Sequence, residues 1–489
     1  MPVLAVDLAA VLSWTLSALV VAAVLGVVFA LATDDREPSI VLAWLLVILM
    51  IPVGGIVAYY FIGRNHRRET RRRAELRDKA REDASRALTP VVRADSDFSD
   101  AVEKKLLGTP GQRVEATGRR EGGMVPLPAD SIRVYVAGAD KFGDLLEDLG
   151  TAKHFIHLMY LIWEQDALTA QVTRVLQERV AAGVEVRILY DWVSCLPYKK
   201  AELKQLAAAG AVVVPCYRRP SQLNYRNHMK MAIVDGAMVY SGGMNMGQEY
   251  IDGGERFETW RDTSFRLTGP VVAPYQWLFA STWSANGRSE DLYTDYVRAP
   301  TVRRPGDGVP VQVLHSSVST DFPAIRDVFV TALLNARRSV WVQSPYFVPD
   351  EPLITAMCVA ATSGVDVRLM MTGVPDKKVP FYAAHAYYRQ LLDAGVTVYQ
   401  YRAGFLHAKT VTVDDDLVIM GTCNWDIRSI ILHDEVVSVF YDEQVASAYA
   451  RQYERDVAGC HEVTRADLAA LSGPQRLRNS TYRLFSRLL

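Results

Sequence analysis

The sequence predicts an α/β protein made of two duplicated sandwich halves, each a mixed sheet flanked by helices. The halves pair about a pseudo-twofold axis and follow an N-terminal transmembrane helical hairpin. Three observations predict this. A short pattern occurs twice, His228-x-Lys230 with Asp235 and His407-x-Lys409 with Asp414, the two copies 179 positions apart. Each copy is followed at the same distance by a small-residue turn and an asparagine, Gly242-Gly243-Met244-Asn245 and Gly421-Thr422-Cys423-Asn424. Finally, the chain opens with two long apolar runs that carry no charge.

The first run, Leu8 to Ala32, spans roughly 37 Å as a helix, enough to cross a hydrocarbon layer. It has no basic segment before it and is followed at once by a second run over 40–62, so a cleaved signal peptide is the weaker reading. Trp14, Trp44, Tyr59 and Tyr60 are placed near interfaces, and Pro52 with Gly54 and Gly55 kinks the second helix. The connector over 33–38 is mostly acidic, whereas Arg64, Arg67, Arg68, Arg71, Arg72, Arg73, Arg77, Lys79 and Arg81 follow the second run. The positive-inside rule then leaves both ends of the hairpin, and the body of the chain that follows it, on the cytoplasmic face of the membrane. The hairpin is assigned to 1–63 and a basic juxtamembrane segment and linker to 64–131.

Within that linker, 82–128 is polar and turn-rich, and 96–107 reads as a short amphipathic helix lying on the membrane or the body. The first catalytic half, 132–300, then alternates: strand 132–136, helix 142–152, strand 154–162, helix 168–182, strand 184–190. The second half, 301–489, repeats the order with strand 311–314, helix 322–336, strand 340–343, helix 351–362 and strand 365–371. A connector over 300–310 joins the halves, and helices over 446–458 and 476–489 close the chain.

Composition excludes some functions. Fifty-four basic against 55 acidic residues leave no overall basic excess of the kind a nucleic-acid binder shows. Five cysteines without paired spacing are read as reduced thiols, Cys423 as a small packing residue. No carboxylate cluster or Cys/His set is evident for a metal, so no cofactor is expected.

On a strand, His and Lys at i and i+2 share a face, so each motif brings an imidazole and an ammonium to one cleft. Asp235 and Asp414 complete the motifs and are counted with the catalytic set. Their odd offset nevertheless points them to the opposite face, where they end the strand and hold the turn.

These residues, with Trp260-Arg261-Asp262, Ser344-Pro345-Tyr346-Phe347-Val348-Pro349, Gly404-Phe405-Leu406-His407 and Asn424-Trp425-Asp426-Ile427-Arg428-Ser429, resemble the phospholipase D superfamily, and within it the bacterial cardiolipin synthases. The resemblance runs from about residue 132 to the C-terminus, and the paired apolar runs fit it. It implies two phospholipase D-like halves and a phosphatidyl-histidine intermediate, with His228 as the nucleophile and His407 as the acid and then the base. Lys230 and Lys409 would hold the phosphoryl oxygens, and Asn245 and Asn424 would donate amide hydrogen bonds to them. Asp262 and Glu435, at matching places in the halves, are the candidates for orienting the imidazoles. The chain departs from the family at His433-Asp434, where Asn then Phe is usual. Arg428 and Ser429 are read as bracing the second motif, and Tyr346 and Phe347 as core.

The reaction so implied joins two phosphatidylglycerol molecules into cardiolipin and glycerol. The partners are then membrane phospholipids, with no nucleic acid. A hydrolytic phospholipase D or another phosphatidyltransferase of the superfamily shares the covalent intermediate and is the alternative; a nuclease or an inactive membrane scaffold fits less well.

Overall fold

The computed structural model describes residues 8–32, 38–63, 89–93, 95–122, 124–219, 222–286, 296, 308–318, 320 and 322–486. The arginine run over 64–81 and most of the connectors over 33–38 and 300–310 lie outside these.

The described residues open with helix Leu8–Ala32, within which Ser13–Leu31 is long and apolar enough to cross a membrane. The second apolar run is helical but broken. Helix Pro38–Met50 stops at Ile51, helix Pro52–Ala58 follows, and a π turn covers Tyr59–Gly63. Pro52 has no N–H to continue the ladder, so the break falls where the ring begins. Among the described residues, one helix therefore meets the length of a span, not two. Trp44 and Tyr59 pack against each other within the apolar segment. They meet edge to face at 5.6 Å, 5% and 4% exposed, and pin the broken segment upon itself with Leu31 and Ile48.

The segment read as a linker folds onto the second half. Helices Ser96–Leu106 and Pro110–Gly122 bury Phe98, Val102, Leu106 and Val114 in the same core as Ile325, Val328 and Phe329 of helix Ala324–Asn335. Gly118 permits the close approach, because a Cβ there would lie 2.7 Å from Gln312 Oε1.

Both halves build the same sheet. In the first, seven strands run in the order Ser131–Tyr135, Ser264–Thr268, Met238–Gly242, Met231–Val234, Phe155–Tyr160, Glu185–Asp191, Val212–Cys216. In the second, the corresponding order is Val309–Ser316, His433–Phe440, Leu417–Gly421, Thr410–Val413, Ser339–Gln343, Asp366–Thr372, Thr397–Tyr401, with Leu127–Ala129 and Cys460–Glu462 added at the two edges. The last three strands of each seven are parallel and the rest antiparallel. Parallel neighbours require crossover helices. Ala167–Ala181 and Glu351–Thr362 supply them, capped by Asp166 and Asp350.

A shared apolar layer joins the halves. Met231, Val239 and Phe265 of the first sheet pack with Val313, Met420, Val436 and Phe440 of the second, Phe265 and Phe440 edge to face at 5.3 Å. Helix Val272–Ala285 is buried from Val272 to Trp283, and Tyr275 meets Ser438 across the halves at 2.5 Å.

Candidate active site

The chain just before each His-x-Lys motif leaves its own sheet to pair with the other half. Arg226–Asn227 runs parallel to His433 and Asp434, and Phe405–Leu406 runs parallel to Trp260 and Arg261. The His228 N–H donates to Asp434 O at 2.9 Å, and the His407 N–H donates to Arg261 O at 2.7 Å. His228 to Lys230 and His407 to Lys409 are thus extended connections between a short cross-half strand and a sheet strand, not sheet residues themselves.

This register decides which carboxylate meets which imidazole. Glu435 follows Asp434 and Asp262 follows Arg261, so each carboxylate reaches the histidine of the opposite half. His407 Nδ1 lies 2.7 Å from Asp262 Oδ2 in an aligned hydrogen bond. His228 Nδ1 lies 2.7 Å from Glu435 Oε1, an ion-pair contact without hydrogen-bond alignment. Both carboxylates are fully buried and each histidine is 7% exposed, so Nε2 of each ring is the atom left for the cleft.

The lysines fold back over their own motifs. Lys230 Nζ donates to His228 O at 2.7 Å, Lys409 Nζ donates to His407 O, and Lys409 Nζ also lies 3.8 Å from Asp262 Oδ2. Burial, and then the neighbouring ammoniums, keep His228 well below the usual imidazole range and bring His407 down to about 4. Burial also lowers Lys230 to about 7 and Lys409 to about 8, with Glu435 and Asp262 opposing the drop. Burial alone would raise Asp262, but Lys409 and His407 outweigh it and hold the carboxylate below its ordinary value. Four cationic groups in one dry space cannot all be charged, and an entering phosphate anion relieves the conflict.

The asparagines are bound alike. Asn245 Nδ2 donates to Tyr250 Oη at 2.8 Å and Asn424 Nδ2 to Ser429 Oγ at 3.3 Å, five residues on in each case, and both line the cleft. Asp235 and Asp414 are elsewhere. Asp235 accepts from the backbone N–H groups of Lys153, His154 and Phe155 at 2.7–2.8 Å, and Asp414 accepts from those of Arg337, Arg338 and Ser339 at 2.7–2.8 Å. Each has positive φ, 50° and 53°, at the hairpin turn that ends its strand. These aspartates fasten the start of the neighbouring strand and do not reach the cleft, which corrects their place in the catalytic set.

The cleft encloses about 650 Å³ and its two ends differ. Around His407 stand Trp260, Tyr250 and Tyr346, with ring centroids 5.7, 6.1 and 6.5 Å from the imidazole. Tyr346 therefore belongs to the site rather than to the core alone, whereas Phe347 is fully buried as expected. Around His228 stand Arg226, Arg428 and His433. Arg226 is held by the carbonyls of Leu223 and Tyr225, and Arg428 by that of Asn224 at 3.4 Å, which aims both guanidinia at one wall. The offset of 179 that relates the motifs shows the asymmetry: Arg226 matches Phe405 and Arg428 matches Glu249. That comparison, available from sequence, was the signal that could have found the cationic wall.

Comparison with known proteins follows the same division. The family described as "Cardiolipin synthase, PLD-like domain" matches residues 145–259 and 329–457, one stretch in each half, and "Phospholipase_D-nuclease N-terminal" matches 18–64. The cardiolipin synthase of Geobacillus kaustophilus is 34% identical over 97% of this chain and 93% of its own length. The major cardiolipin synthase of Bacillus subtilis is 32% identical over 93% of this chain and 95% of its own. Phosphatidylserine synthase from Haemophilus influenzae, a crystal structure at 15% identity, shares the fold with a TM-score of 0.59, covering 77% of this chain and 100% of that one. Near full-length identity above 30%, with a family match in each sheet-forming half, shows that the chain belongs to the cardiolipin synthase family of the phospholipase D superfamily.

Proposed function

We propose that the protein makes cardiolipin by phosphatidyl transfer between two phosphatidylglycerol molecules through a phosphatidyl-histidine intermediate. The observation that carries this is the meeting of both imidazoles, each backed by a carboxylate of the opposite half, in one cleft. His228 Nε2 attacks the donor phosphorus, forming a P–N bond as the P–O bond to glycerol breaks, and His407 gives the departing oxygen its proton. His407 Nε2 then takes the proton of the acceptor's terminal hydroxyl, whose oxygen displaces His228. Asp262 and Glu435 stabilise the imidazolium formed in turn on each ring. Lys230, Lys409, Asn245 and Asn424 hold the phosphoryl oxygens, and Arg226 and Arg428 gather the second anionic lipid. One phosphodiester replaces another, so no nucleotide is consumed.

The topology proposed with this reading is a two-pass hairpin, with the body on the cytoplasmic side of the bacterial membrane. Both substrates and the product stay in the bilayer, and anchoring the enzyme there raises their effective concentration at the cleft.

Purified full-length protein given phosphatidylglycerol alone should yield cardiolipin and free glycerol in equal amounts, read by mass spectrometry and a glycerol assay. Phosphatidic acid without cardiolipin would show that water, not a lipid alcohol, is the acceptor.

The lysines set a pH limit. Their lowered values mean that both ammoniums are present at acid pH and are lost as pH rises through about 7 for Lys230 and about 8 for Lys409. At subsaturating lipid, kcat/KM should therefore fall across that window, and Lys230→Arg should move the fall upward. A flat profile from pH 6 to 9 would mean that these charges do not bind the phosphate.

A further inference from the structure

We propose that His228, His433 and Glu435 form a site for a transition-metal ion of the zinc class, and that filling it silences the enzyme. The silencing rests on the reading above that His228 Nε2 is the nucleophile; the site itself does not. One potential ligand atom from each of the three residues lies within 4.8 Å of the others. His228 Nδ1, both ring nitrogens of His433 and Glu435 Oε1 are all buried without a hydrogen bond. Two of them, His228 Nδ1 and Glu435 Oε1, face each other at 2.7 Å as an ion pair without hydrogen-bond alignment, and among the described residues neither nitrogen of His433 has a hydrogen-bond partner; buried polar atoms so placed call for a ligand.

The pseudo-twofold axis supplies the control. In the other half His407 Nδ1 and Asp262 Oδ2 stand at the same 2.7 Å but make an aligned hydrogen bond, and the position matching His433 is Trp260, which cannot ligate. Two imidazoles and one carboxylate are a donor set that zinc takes, with bonds of about 2.0–2.2 Å, and imidazole donors disfavour magnesium and calcium. Those bonds set tetrahedral ligand atoms roughly 3.4 Å apart. The two separations from Glu435 Oε1 bracket that value, 2.7 Å to His228 Nδ1 and 3.8 Å to His433 Nδ1, and the three ligand atoms lie within 4.8 Å of one another, so side-chain rotation of His433 toward the other two closes the site. The fourth position opens to the cleft, which His228 and His433 both line. Lys230, Lys409 and Arg428 oppose a cation there, which fits a reversibly filled control site better than a resident cofactor.

Coordination consumes the lone pair of His228 Nδ1. The neutral ring then carries its proton on Nε2, the atom that faces the phosphoryl group, and has no pair with which to attack it. No bond to phosphorus forms while the metal stays.

The test uses full-length protein in detergent, first stripped with chelator. Zinc chloride should bind at about one ion per chain by equilibrium dialysis, and cobalt(II) should give the visible bands of a four-coordinate site. His433→Asn and His433→Gln should each weaken zinc at least tenfold and lose the cobalt bands while still making cardiolipin. Zinc should inhibit the wild type reversibly and spare both variants. Equal zinc binding by wild type and either folded variant would overturn the site. Stoichiometric binding through His433 without inhibition would keep the site and overturn the silencing; the role of His228 as nucleophile is decided separately, by whether His228→Ala still forms the phospho-adduct.

Discussion

Alanine at His228 or at His407 is expected to lower cardiolipin formation by about 10⁴- to 10⁶-fold while leaving the fold intact, and the two losses should differ in kind. Without His228 no P–N bond can form, so no substrate recovers the activity and no acid-labile phospho-adduct is trapped from labelled lipid. Without His407 the nucleophile survives and only the proton for the leaving oxygen is missing. A phosphatidyl donor with a nitrophenol leaving group needs no such proton, so His407→Ala should release nitrophenol and accumulate the adduct. Each imidazole makes its own carboxylate contact, and neither orients the other, so the substitutions act separately. Retention of more than a tenth of wild-type turnover by either variant would end the two-histidine mechanism. Rescue of His228→Ala in place of His407→Ala would exchange the two roles.

Substituting the carboxylates tests the crossing between halves. Asp262→Asn, a change in the first half, should reproduce the defect of His407 in the second, with a loss of about 10²- to 10⁴-fold that a good leaving group repairs. Glu435→Gln should reproduce the defect of His228, which a good leaving group does not repair. The pH profile adds a sign. Asp262 holds the pKa of His407 up against burial and Lys409, so removing its charge must lower that pKa further and shift the acid limb of the rate profile to lower pH. If each carboxylate instead governed the histidine of its own half, the two rescue patterns would be swapped.

Much of the site was legible because chemistry and spacing are local. The His and Lys pairs, the downstream asparagines and both carboxylates all lie in or around the one cleft, and the alternating elements fall within a few residues of the expected ones. The helix over 351–362 is found as Glu351–Thr362, and strand 340–343 as Ser339–Gln343. The odd offset of Asp235 and Asp414 correctly pointed them away from the substrate, although counting them as catalytic did not follow from it. Their true partners, three successive backbone N–H groups about 80 residues earlier, leave no trace in the motif.

What the sequence left open shares a cause. Aromatic residues such as Trp44, Tyr59 and Tyr346 carry an apolar body and, in Tyr and Trp, a polar edge, so their type suits core, interface and cleft equally. The amphipathic helix Ser96–Leu106 announces an apolar face without naming the surface that covers it. His433 gave even less away, because its neighbours in the chain do not reveal that its ring sits 5.6 Å from that of His228.

By itself the sequence indicated the duplicated fold, the candidate reacting side chains and the order of strands and helices along the chain, since each is written in short local patterns, one of which recurs 179 positions later. Only the tertiary structure decided that Asp262 serves His407 across 145 positions and that Glu435 serves His228. It also decided that Arg226 and Arg428 line the cleft with His433, while Trp260, Tyr250 and Tyr346 surround His407. The reason is register: short parallel strands exchanged between the halves fix which residue stands opposite which, and a one-residue slip there would turn each carboxylate to the opposite face.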